Sequence, residues 1–188
     1  PELDLKGAIA LAPGGYQYEG IAEYVKTNPN PEPSVAAFFP IVLLGAQAAE
    51  PSIIPENLVS PEMGNVLTQA RSRCLSELQS DLKKSPSSIF RPNADLKPLL
   101  SYLKQQSIEN MVPTVPLMIV QGSKDHLVDP RGTYAYYQQL CKLKKPTIYQ
   151  TIDGGDHRDA LRQSNTFATD FLNAIEKKQA KSYCSNFK

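Results

Sequence analysis

Apolar positions along the chain fall into three short runs, each of which stops at glycine. Residues 4–12 (DLKGAIALA) end at Pro13-Gly14-Gly15, residues 116–121 (PLMIVQ) at Gly122, and residues 147–152 (TIYQTI) just before Gly154-Gly155. Runs of this length closed by turn residues read as β-strands, the first two buried on both faces and the third alternating. Between the second and third strands the pattern predicts a helix, with Asp129 as its cap and Pro130 in its first turn. Beyond the third strand, Ala168, Phe171, Leu172 and Ile175 recur at i, i+3, i+4 and i+7, which predicts a closing amphipathic helix. Strand–helix–strand–helix in this order implies a parallel sheet with right-handed crossovers.

The stretch 16–112 has a different texture. Prolines punctuate it, and helical periodicity appears at 16–27, 34–49, 62–83 and 95–106 with no convincing strand. Short helices started and separated by prolines fit an insertion between two strands. The predicted organisation is therefore an α/β core formed by 1–15 and 113–188, with 16–112 as a helical cap or lid over the sheet's carboxyl edge. Three strands make a poor sheet by themselves, because a parallel strand buries both faces and the first still lacks a neighbour on one edge. Further strands from outside the sequence are expected.

Composition narrows the class. Lys+Arg of 20 against Asp+Glu of 19 leaves no charge footprint for nucleic acid or an anionic membrane. Lys177, Lys178, Lys181 and Lys188 read as a solvated helix end. The apolar stretch 35–49 (VAAFFPIVLLGAQAA) falls short of the about 20 residues needed to span a bilayer, and Pro40 and Gly45 interrupt it. The opening residues carry neither a charged n-region nor an apolar h-region, so no signal peptide is expected within this chain. Cys74, Cys141 and Cys184 have no metal-type spacing. On helical projections Cys141 shares a face with Tyr137 and Leu140, and Cys74 with Leu67, Ala70 and Leu78. Buried thiols and a disulfide both stay open; a disulfide would indicate an exported protein.

Two motifs carry the chemistry. Gln121-Gly122-Ser123-Lys124-Asp125 follows the second strand and Gly154-Gly155-Asp156-His157 the third. Both therefore arrive at the carboxyl edge of the sheet, where open α/β sheets bind ligands. An acid that orients an imidazole needs this kind of convergence, so Asp125 and His157 are read as the acid and base of a Ser–His–Asp triad. Asp before His is the order in α/β-hydrolases. Asp129 is the substitute acid, although a helix-cap role suits it better. His126 reads as a solvated loop residue, and Asp153 and Asp156 as residues shaping the histidine loop. The two histidines and nearby aspartates match no metal-ligand motif, and no metal or organic cofactor is expected. No serine has glycine at both i−2 and i+2, so the nucleophile elbow is absent.

The run VPLMIVQGSKDHLVDP…YQQLCKLKKPTIYQTIDGGDHRDAL closely resembles the end of the α/β-hydrolase fold in the secretory lipase family, the fungal lipase A type and its bacterial relatives. LKGAIALAPG resembles the strand that follows the nucleophile helix there, and a large helical cap intervenes before the acid strand. By this resemblance the chain is the C-terminal part of an α/β-hydrolase with a helical cap insertion, Asp125 the triad acid and His157 the general base. The serine elbow and oxyanion-hole loop would belong to an N-terminal part of the same fold. The resemblance implies an ester or lipid substrate, transient contact with a lipid surface, and an extracellular or periplasmic location. The apolar segment offers Phe38, Phe39, Leu43 and Leu44 as pocket lining, although a buried cap core accounts for most such side chains. Two other readings stay open: a capped serine peptidase acting on short peptides, for which Glu19, Glu23 and Glu50 are available, and a non-catalytic binding module or inactive fragment.

Overall fold

A computed structural model describes residues 3–27, 30–178 and 184. In chain order, strand β1 (Ala8–Leu11) is followed by a one-turn 3-10 helix (Tyr18–Gly20), α1 (Ile21–Thr27), α2 (Pro33–Ala36), α3 (Phe38–Ala49), α4 (Pro55–Leu58), α5 (Pro61–Ala70), α6 (Leu75–Asp81) and α7 (Lys97–Gln106). A second 3-10 turn (Ile108–Asn110) leads to β2 (Leu117–Gly122), α8 (Pro130–Lys142), β3 (Thr147–Ile152), α9 (Asp159–Arg162) and α10 (Asn165–Glu176). These elements fall into two units, one made of the chain up to Gln17 and from Ser107 onward, the other of residues Tyr18–Gln106.

The first unit is built on a parallel sheet of order β1-β2-β3. Every residue of the central strand β2 is buried. Alternation sends its side chains to opposite faces. Leu117 and Ile119 join Tyr136, Tyr137, Leu140 and Cys141 of α8 on one face. Met118 and Val120 join Ile152, Ala160 and Phe171 of the closing segments on the other. Helix α8 begins as its sequence implies, with the Asp129 carboxylate accepting from the Arg131 N–H and Pro130 in the first turn. In α10 the buried stripe consists of Phe167, Ala168, Phe171 and Ile175. Leu172, expected on that stripe, is 53% exposed. It sits about 100° round the helix from Phe171, off the seam.

Cys141 is buried against the sheet and also disulfide-bonded to Cys184, closing a separation of 43 residues. Lys177 and Lys178 are exposed just beyond α10, whereas Lys181 and Lys188 lie outside the described residues.

The second unit is helical, with an interior that includes Phe39, Leu43, Met63, Leu67, Leu78, Ile89, Phe90 and Leu99. Phe39 and Phe90 pack edge-to-face at 5.9 Å between ring centroids. Two helical stretches read as continuous are divided here. The 34–49 stretch breaks at Ala37 into α2 and α3, and Pro40 falls in the first turn of α3, where a missing N–H breaks no intrahelical bond. Gly45 sits within α3 without ending it. The 62–83 stretch breaks after α5. Cys74 starts α6 as its N-cap, and its backbone N–H donates to the Glu77 carboxylate at 2.9 Å. Cys74 is thus an exposed free thiol and does not share a buried face with Leu67, Ala70 and Leu78. A bridge between Val59 and Phe90, flanked by Ser60 N–H to Ile89 C=O and Arg91 N–H to Leu58 C=O, ties the 82–96 loop to this interior. Among the described residues no helix is long and apolar enough to cross a membrane.

The layering sets an expectation for stability. We predict that Leu140→Ala, at a fully buried contact between α8 and the sheet, costs about 3 kcal/mol, while Leu172→Ala stays within about 0.5 kcal/mol of the parent. Urea unfolding midpoints check this; equal losses for the two would contradict the assigned faces.

Candidate active site

Strand β2 ends on Gln121-Gly122 and β3 on Thr151-Ile152, paired in register at the same edge. The backbones stay joined beyond the strands. Ser123 N–H donates to Ile152 C=O at 3.0 Å, and Lys124 N–H to Gly155 C=O at 2.9 Å. The Ser123 hydroxyl accepts from the Gly154 N–H at 2.8 Å, so it stitches the acid turn to the histidine loop. Gly154 has φ +70°, a left-handed value that favours glycine. Gly122 is required for a different reason. A Cβ there would overlap the backbone carbonyl oxygens of Gly155 and Asp156. The histidine loop crosses over Gly122 at a distance that only glycine permits.

Asp125 emerges from this turn with its side chain fully buried. Its Oδ1 accepts from the backbone N–H groups of Leu127 and Val128, both at 2.9 Å. Its Oδ2 lies 2.8 Å from Gln121 Nε2 and 2.8 Å from His157 Nδ1. Burial disfavours the charged carboxylate. Hydrogen bonds from Val128, His157, Leu127 and Gln121 outweigh that penalty and hold its pKa below the ordinary aspartate value.

An ionised carboxylate only accepts, so the proton on this bond belongs to His157 Nδ1. In the neutral imidazole that assignment leaves Nε2 with the lone pair. The His157 side chain is 36% exposed, so the ring sits between a buried acid and the surface. Its loop is held by Asp156, whose Oδ1 accepts from the N–H groups of Arg158 and Asp159 while its own N–H donates to Asp159 Oδ2. These bonds close the turn that leads from His157 into α9.

The other candidates are placed elsewhere. Asp129 caps α8 and is paired with Arg131. His126 is exposed on the loop after Asp125. In the helical unit, Phe39 and Leu43 belong to the interior, Leu44 is half-buried against it, and Phe38 is exposed. Among the described residues no group of three or more His, Cys, Asp or Glu is positioned to hold a metal ion. Two residues of the first motif to which the sequence pattern assigns no role also bond within the site: Gln121, through its amide, and Ser123, through its hydroxyl. A polar residue inside an otherwise apolar buried strand is the signal that marks Gln121.

No protein-family model matches the chain. No curated protein matches it either. Solved structures do. Candida antarctica lipase A superposes with a TM-score of 0.74 at 19% identity, over 95% of this chain and 43% of that one. A candidate hydrolase from Legionella pneumophila gives 0.71 at 19% identity, over 96% and 51%. The rice cell wall degrading esterase LipA from Xanthomonas oryzae gives 0.67 at 12% identity, over 93% and 51%. The chain spans about half the length of these structures. At such identities the likeness is one of fold: this chain has the α/β architecture of lipase-type hydrolases across the portion it covers.

Proposed function

We propose that this chain is part of a serine ester hydrolase of the secreted lipase or carboxylesterase type, in which Asp125 and His157 serve as acid and base. The observation that supports the reading is the 2.8 Å bond between His157 Nδ1 and the buried Asp125 Oδ2 at the carboxyl ends of β2 and β3. Folds shared with a lipase and an esterase agree with it. Because no serine in the sequence stands in a G-x-S-x-G elbow, the nucleophile in this proposal is a serine from polypeptide outside these 188 residues. The 188-residue chain alone is then inactive.

The chemistry follows from the pair. His157 Nε2 takes the proton of the serine hydroxyl as its oxygen attacks the ester carbonyl carbon. Asp125 holds the ring by Nδ1 and stabilises the imidazolium that forms. The tetrahedral oxyanion collapses, the C–O bond to the alcohol breaks, and Nε2 returns its proton to the leaving oxygen. Water then attacks the acyl-serine by the same route, and the acid leaves. An ionised Asp125 is required throughout, and its four hydrogen-bond donors favour that state. The Cys141–Cys184 disulfide suits an oxidising, extracellular or periplasmic setting.

In the complete protein, His157→Ala is expected to lower hydrolysis of p-nitrophenyl esters by on the order of 10³-fold or more while leaving the circular dichroism spectrum unchanged. Undiminished turnover would remove His157 from the mechanism. Faster cleavage of amino-acyl nitroanilides than of esters would favour the peptidase reading instead.

Titration of Asp125 gives a separate expectation. Its folded-state pKa lies below the unfolded value, so its stabilising contribution is complete above the unfolded value, about 3.9, and vanishes as pH falls through the folded one. Asp125→Asn should therefore be destabilised relative to the parent from about pH 5 upward, with the gap closing below about pH 4. Unfolding free energies measured across this range check it; parallel curves down to pH 3 would show that the carboxylate is not held ionised.

A further inference from the structure

Strand β2 reads Leu117-Met118-Ile119-Val120-Gln121-Gly122, and Gln121 is 0% exposed within it. Packing alone would be served by another apolar side chain at this position. The amide Nε2 donates to Asp125 Oδ2 at 2.8 Å and reaches Val128 C=O at 3.4 Å. Its Oε1 is buried and has no hydrogen-bond partner among the described residues. An unpaired buried acceptor opposes folding. Turning the amide over gives no relief, because Oε1 would then face a carboxylate and a carbonyl, both acceptors only. The orientation is forced, and both N–H groups of the amide are aimed at the acid and its loop.

Two consequences follow for Asp125. Oδ2 is held from the β2 side by Gln121 and approached by His157 Nδ1, each at 2.8 Å. The same amide reaches the carbonyl of Val128, whose N–H bonds Oδ1. Gln121 thereby links the strand to the loop that supplies the other donors, and fixes the rotation of the carboxylate. It does so without charge. A lysine or arginine at this position would neutralise the acid and weaken its attraction for an imidazolium.

We propose that Gln121 is a positioning residue for the hydrolytic reaction, holding the Asp125 carboxylate in the rotation in which Oδ2 meets His157 Nδ1. The proposal rests on the assignment of Asp125 and His157 as acid and base. Among the described residues, the groups that hydrogen-bond the Asp125 carboxylate are Gln121, the Leu127 and Val128 N–H groups and His157. Lys124, His126 and Asp129 are its charged or titratable neighbours along the loop, and Asp153, Asp156, Arg158 and Asp159 are those of the histidine loop.

The test uses Gln121→Met, which keeps length and volume and removes both donors, in the complete protein with ¹³C-labelled aspartate. Loss of a donor to the charged form should raise the midpoint of the Asp125 carboxyl titration by about half a unit or more. The Nδ1–H proton resonance of His157 should move, since Oδ2 no longer shares its lone pairs with the amide. In ester hydrolysis kcat should fall roughly tenfold with KM within about twofold, the pattern of a lost transition-state interaction. A residue that merely fills space would move neither the carboxyl titration nor the proton resonance. If Gln121→Met does not fold, Gln121→Asn retracts the amide by one methylene and is read in the same way.

Parent-like titration, resonance and kcat in the variant would overturn the proposal, as would a moved titration with unchanged kcat. The His157→Ala enzyme decides the underlying reading independently. If it is inactive while Gln121→Met behaves as the parent, the hydrolase assignment stands and the role of Gln121 falls.

Discussion

Parallel pairing of β2 with β3 runs from Leu117 opposite Thr147 to Gly122 opposite Ile152. Everything at the candidate site depends on this register continuing past the ends of the strands. Side chains alternate every residue, so a slip of one position would turn Met118 and Val120 away from one helical layer and Leu117 and Ile119 away from the other. The same slip would separate Ser123 from Ile152 and Gly154, and Lys124 from Gly155. Burial of β2 on both faces therefore holds the two loops level as well as stabilising the sheet. The positions of the acid and the histidine follow from hydrophobic packing several residues away.

At the acid itself two large effects oppose each other. Burial of a carboxylate is unfavourable, and four hydrogen bonds are favourable. The balance comes from the local chain path: two donors are backbone N–H groups two and three residues further on, presented by the turn that Asp125 itself begins. The remaining two come from side chains, Gln121 at the end of β2 and His157 on the histidine loop. The charge state of Asp125 is thus largely built into the short stretch 121–128, before the histidine loop contributes.

Much of the fold is legible because β-type runs closed by glycine are strong local signals. The three runs correspond to β1, β2 and β3, and Asp129-Pro130 marks the start of α8. The two segments read as single helices were harder. Periodicity across 62–83 continues through a break whose cause is a capping arrangement, Cys74 with Glu77, that uses a cysteine where Ser or Thr is the usual signature. Leu172 fits the i, i+3, i+4 spacing yet lies off the seam, because spacing gives the direction of a stripe and not its width. At the site, the glycine-marked ends of β2 and β3 indicate where Asp125 and His157 emerge. The partners of Asp125 are less visible: Leu127 and Val128 act through backbone N–H groups that any residue except proline would offer, and Gln121 reads as the end of a strand.

The close passage of the histidine loop over Gly122 also bears on how this site can change. The carbonyl oxygens of Gly155 and Asp156 occupy the space that any side chain at position 122 would need. Neither segment can be lengthened, exchanged or given a bulkier residue at the crossing while the other stays as it is. For grafting, recombination or divergence of such sites, the acid turn and the histidine loop form one inheritable block even though a helix and a strand separate them in sequence.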